Sequence, residues 1–145
     1  RCPSDKNIPE YKEHNGSMNS DAQYHTSYIY LAHTITNEEE GLTYLDALHT
    51  ARLNNHDLSV DLVTDGGVTF KRIDENQAMT NPLSAITLVL FDTPVFDGSN
   101  TPTFPHEPGG GNVIYLDGHV EFVRYPKFPY TDEFIQKLNT LINPK

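Results

Sequence analysis

The sequence has no tryptophan and a single cysteine, Cys2. One cysteine closes no internal disulfide, so the 145 residues must be held by an apolar core. Cys2 is either a free thiol or half of a bridge to a cysteine elsewhere. Its neighbours Pro3-Ser4-Asp5 offer no cationic surroundings to favour a thiolate, which argues against a nucleophilic or redox role. Basic residues are scarce: 10 Lys and Arg stand against 20 Asp and Glu, a net charge of −10. Nucleic acid and anionic membrane surfaces both call for basic patches, so both are disfavoured as partners. Long apolar runs are missing too. The longest, Ala85–Phe91, interrupted only by Thr87, has strand length, far short of the ~18–20 residues of a membrane span. No signal peptide is recognisable. The chain opens Arg1-Cys2-Pro3-Ser4-Asp5 rather than on Met, and is expected to continue a longer polypeptide. Absent as well are HExxH, Cys-His metal spacing, an EF-hand loop, a Lys-Ser/Thr phosphate loop and a GxSxG elbow.

What is present reads as one globular domain over 1–145. Hydrophobic residues make up 37%, lean but too many for disorder. Residues 1–23 are polar and read as an irregular N-terminal segment. Ser27–Leu31 is rich in aromatic and β-branched residues and reads as a strand. Asn37 followed by Glu38-Glu39-Glu40 starts a helix over 38–53, with carboxylates at the positive end of its dipole. Asp57–Val63 and Val68–Arg72 flank Asp65-Gly66-Gly67 as a hairpin, and 74–84 is a polar connection. Ala85–Phe91 is apolar on both faces, as a covered central strand is. Residues 92–111 read as a long loop, a length that usually serves function or packing. Asn112–Leu116 and His119–Tyr125, joined by Asp117-Gly118, give the strongest hairpin signal in the chain. Valine in place of Gly118 is expected to be severely destabilising, because a β-branched residue opposes positive φ. Thr131-Asp132-Glu133 starts a last helix whose apolar stripe is Phe134, Ile135, Leu138, Leu141 and Ile142. The fold class is α+β: an antiparallel, hairpin-built sheet with helices packed on it.

The seven histidines mostly stand alone among polar residues and read as titratable surface. One constellation stands out: Asp92, His106, Asp117 and His119. With the Asp92 strand beside the hairpin, two carboxylates and two imidazoles could meet at one sheet edge and hold a divalent ion. The plainer reading gives Asp117 to turn geometry and Asp92 to capping the next loop.

His106-Glu-Pro-Gly-Gly-Gly-Asn-Val-Ile-Tyr-Leu-Asp-Gly-His-Val-Glu-Phe122 resembles the prepilin-type, processing-associated family marked by His, nine residues and Asp-Gly. Its motif residues here are His106, Gly109, Gly110, Asn112, Asp117 and Gly118. Ten residues separate His106 from Asp117, so one is inserted, at Glu107. Cys2-Pro3-Ser4-Asp5, Ser27-Tyr28-Ile29-Tyr30 and Ser84–Asp92 match further family segments in the right order.

The resemblance implies the soluble part of a pseudopilin or type IV pilin-like protein lacking its apolar N-terminal helix. It implies a non-catalytic subunit of a type II secretion pseudopilus or related extracellular fibre. Such a subunit is anchored in the bacterial inner membrane before assembly. It then self-associates with copies and other pilin-like subunits, in the periplasm or at the cell surface. It also implies a cysteine after that helix as a disulfide partner for Cys2, and it leaves room for calcium near the 92–111 loop. Two other functions compete. A carbohydrate- or ligand-binding module would use Tyr125, Phe128 and Tyr130. A metal-dependent hydrolase would use Asp92, His106, Asp117 and His119.

Overall fold

A computed structural model describes residues 28–74, 76–96 and 101–142. The N-terminal segment 1–23 and Cys2 lie outside the described residues. In chain order the elements are β1 (Tyr28–Tyr30), α1 (Glu38–Leu53), β2 (Leu62–Val63), β3 (Thr69–Phe70), α2 (Gln77–Thr80), β4 (Leu88–Asp92), β5 (Val95–Phe96), β6 (Pro102–Thr103), β7 (Gly110–Tyr115), β8 (Val120–Arg124) and α3 (Asp132–Ile142).

The main sheet has the order β1-β4-β7-β8, all antiparallel. The α+β expectation holds at this level. β4 is central, as its two-sided hydrophobicity predicts. The strand is displaced from the expected 85–91 to 88–92, because 85–87 belong to a turn closed by the Thr87 N–H on the Leu83 carbonyl. Cross-strand partners share a face, so the register sorts the side chains. Ile29, Phe91, Val113 and Val123 face inward, where Phe91 meets Phe134 of α3 at 6.1 Å and Tyr130 edge-on at 6.1 Å. Tyr30, Leu90, Ile114 and Val120 form one row of the outer face; Tyr28, Asp92, Asn112 and Phe122 form the next.

α1 starts as expected. The Asn37 side chain accepts the Glu40 N–H at 3.0 Å, and the Glu40 carboxylate reaches back to the Thr36 N–H at 2.8 Å. Gly41 costs the helix propensity but fits the packing: a Cβ there would lie 2.9 Å from both Phe128 and Phe134. On α3 the apolar stripe is buried through Phe134, Ile135 and Leu138, while Ile142 at its end is exposed. Lys137 of α3 bonds Asp46 of α1 at 2.7 Å.

Both hairpins turn alike. The Thr64 N–H donates to Val68 and the Gly67 N–H to Thr64; the Tyr115 N–H donates to His119 and the Gly118 N–H to Tyr115. Each is thus a three-residue loop ending on a glycine of positive φ, +82° at Gly67 and +91° at Gly118. The two-residue Asp-Gly loop expected at 117–118 is therefore corrected by one residue. Asp117 occupies the middle of the loop, and its Oδ1 accepts the His119 N–H at 3.0 Å. The 57–63/68–72 hairpin forms with strands only two residues long. The polar connection 74–84 contains the single-turn α2. The 92–111 stretch is not wholly loop either: β5 and β6 pair within it, and β7 begins at Gly110.

His33 contradicts the reading of the histidines as surface. It is buried, its Nε2 lies 2.8 Å from the Val60 carbonyl, and its Nδ1 lies 3.1 Å from the Tyr44 hydroxyl. A carbonyl only accepts, so Nε2 carries the proton and Nδ1 accepts from Tyr44. Burial pushes the Tyr44 phenol up to about 12, against the opposing pull of Arg52 and Arg72.

Candidate functional site

The motif around His106 assembles at the end of β4. Asp92 is the last residue of that strand and faces outward, yet it is only 1% exposed. Its Oδ2 accepts the Asn112 backbone N–H at 2.7 Å and the Asn112 side-chain amide at 3.1 Å. His106 Nε2 approaches the same oxygen at 2.9 Å. The imidazole stands edge-on to Phe122, with centroids 6.4 Å apart, and so roofs the carboxylate on the outer face.

The glycines explain how His106 gets there. His106 bridges to Gly110, and the Gly109 N–H closes the turn on the His106 carbonyl at 3.0 Å. Gly110 has φ +148°, and a Cβ on it would lie 2.2 Å from the Val123 carbonyl oxygen. A Cβ on Gly111 would lie 2.2 Å from the Tyr130 hydroxyl, which donates to the Asp92 carbonyl at 3.1 Å. The residue inserted at Glu107 is accommodated in this turn. The motif marks Gly109 and Gly110, but the seat of Tyr130 against Gly111 has no signal in the sequence.

The four residues expected to converge form two pairs instead. Asp92 and His106 meet at one end of β7. Asp117 and His119 meet at the other, roughly 17 Å away at ~3.4 Å per residue. There His119 Nδ1 lies 2.5 Å from Asp117 Oδ1, and the ring stacks on Tyr115 at 4.6 Å. The His119 backbone and ring hydrogen bonds hold the Asp117 carboxyl below the usual range. The expected four-residue metal site is corrected for this geometric reason: the residues sit at opposite ends of one strand. Among the described residues no three His, Cys, Asp or Glu side chains gather as a metal centre requires. The buried Asp92 Oδ1 has no hydrogen-bond partner among them. Chemically, the Asp92–His106 pair is an imidazole fixed by a carboxylate, the arrangement that sets ring orientation and tautomer.

The aromatic trio separates as well. Tyr130 is wholly buried, and burial pushes its phenol far up. Phe128 is half-buried against Phe134. Tyr125 is exposed and hydrogen-bonded to Asp132, the larger cause of its raised phenol pKa. A flat sugar-stacking platform made of all three is therefore not formed.

No family model matches the chain, and neither a curated protein nor a solved structure is significantly similar to it.

Proposed function

We propose that the chain is a structural, non-catalytic subunit of pseudopilin or type IV pilin-like kind, with a pilin-like globular fold. It would belong to a type II secretion pseudopilus or a related fibre outside the cytoplasm, assembling with copies of itself and other pilin-like subunits. One observation carries this reading. The polar groups of the motif are turned on one another: His106 and Asn112 both engage the buried Asp92. The glycines let β7 lie against Val123 and Tyr130. Such a motif ties a loop to a sheet, as a structural building block needs. The acidic surface, with net charge −10, keeps such a block soluble between assemblies.

Labelling of the native host's surface fibres with antibodies to this chain tests the reading. Decoration along fibres is expected. Protein present outside the cytoplasm but never on a fibre would overturn it.

A further inference from the structure

We infer that β8 is an open sheet edge at which a second copy of this chain adds its own β8, antiparallel, across a twofold axis. This goes beyond the fibre-subunit reading and does not depend on it.

The hydrogen-bond parity of the β7–β8 hairpin carries the first step. The Tyr115 N–H donates to His119 and the Tyr125 N–H to Gly109. In an antiparallel pair, bonded and non-bonded residue pairs alternate. The odd residues 119, 121, 123 and 125 therefore bond to β7. Val120, Phe122 and Arg124 turn their N–H and C=O groups to the free side. Among the described residues only the Arg124 carbonyl of these groups is engaged, by the Lys127 N–H at 2.9 Å. Unpaired edges of this kind template pairing with another chain. The opposite edge, β1, spans three of the described residues.

The sequence Val120-Glu121-Phe122-Val123-Arg124 selects the partner. Centring the axis on Phe122 sets Phe122 beside its own copy, Val120 opposite Arg124 and Glu121 opposite Val123. Val120 is 59% exposed and Phe122 38%, so both gain cover. No like charges face each other directly, whereas moving the axis by one residue to Glu121, a two-residue slide of the strands, sets Glu121 against Glu121. In a chain of net charge −10, β8 is an edge where the copies meet without opposed carboxylates. One strand pair buries well under the ~1,200 Å² of a stable interface, so the dimer is weak and concentration-dependent.

Sedimentation of the 145-residue chain across micromolar to millimolar concentration tests this. Reversible dimerisation is expected. Val120→Lys, which sets a cation opposite Arg124, should weaken it roughly tenfold or more at unchanged melting temperature. Adding Arg124→Glu to Val120→Lys should restore it, since only the proposed register opposes positions 120 and 124. A monomer at every concentration, a dimer indifferent to Val120→Lys, or a double variant no tighter than the single one would overturn the proposal.

Discussion

Replacing Gly110 by alanine isolates what the glycine run does. Gly110 and Gly118 both have positive φ, +148° and +91°. Left-handed backbone costs a non-glycine residue about 1–3 kcal/mol at either position. Their surroundings differ. Around Gly118 a Cβ meets nothing within 4 Å, so the backbone cost is the whole cost. At Gly110 a Cβ would sit 2.2 Å from the Val123 carbonyl oxygen and 3.0 Å from Arg124 Cα. Those are backbone atoms of the paired strand and cannot rotate away. Relief requires parting β7 from β8, at about 0.5–1.5 kcal/mol for each ladder bond lost. Overpacking adds about 1–3 kcal/mol more. Gly110→Ala should therefore cost about 4 kcal/mol or more, in the exceptional range for one substitution. At ~2–4 °C per kcal/mol for a chain of this size, the melting temperature falls by about 8 °C or more. Gly118→Ala, which bears only the backbone cost of about 1–3 kcal/mol, should lower it by less. Thermal unfolding by circular dichroism reads both. A Gly110→Ala loss no larger than that of Gly118→Ala would refute the reasoning.

Tyr44→Phe removes the donor to buried His33 Nδ1 and should cost about 1–3 kcal/mol, read as a shifted urea midpoint; no shift would place the His33 network elsewhere. Asp117 has a lowered folded pKa. Its contribution is therefore present above the unfolded value, about 3.9, and is lost as pH falls through the folded one. Asp117→Asn should lower the urea midpoint at neutral pH and match the unchanged chain in strong acid; a gap of equal size at both would contradict this. Because Asp92–His106 and Asp117–His119 form separate pairs, millimolar calcium or EDTA should leave the melting temperature unchanged, and a clear shift with either would restore a metal to one of them.

The elements with strong local signals were legible. Asn37 and the three glutamates announce α1, and the stripe from Phe134 announces α3. The hydrophobic run before Asp92 announces the central strand. Turn chemistry was legible to within a residue, because Asp-Gly suits both two- and three-residue loops. The clasp on Asp92 was half visible. The constellation set Asp92 beside His106, but that Asn112, twenty positions downstream, also bonds this carboxylate follows only from the strand pairing. The convergence of Asp117 and His119 with that pair failed because adjacency of strands says nothing about which end of a strand a residue occupies. Burial of His33 and Tyr130 follows from tertiary packing around polar neighbours in sequence, where periodicity is silent.

A double-mutant cycle of Asp92→Ala and His106→Ala, read by urea unfolding, tests the central claim most directly. A motif that clasps the loop to the sheet predicts a coupling of about 1–3 kcal/mol between the two positions. Additive losses, within about 0.5 kcal/mol, would mean that the histidine does not hold the carboxylate. The motif would then have to serve something other than the fold.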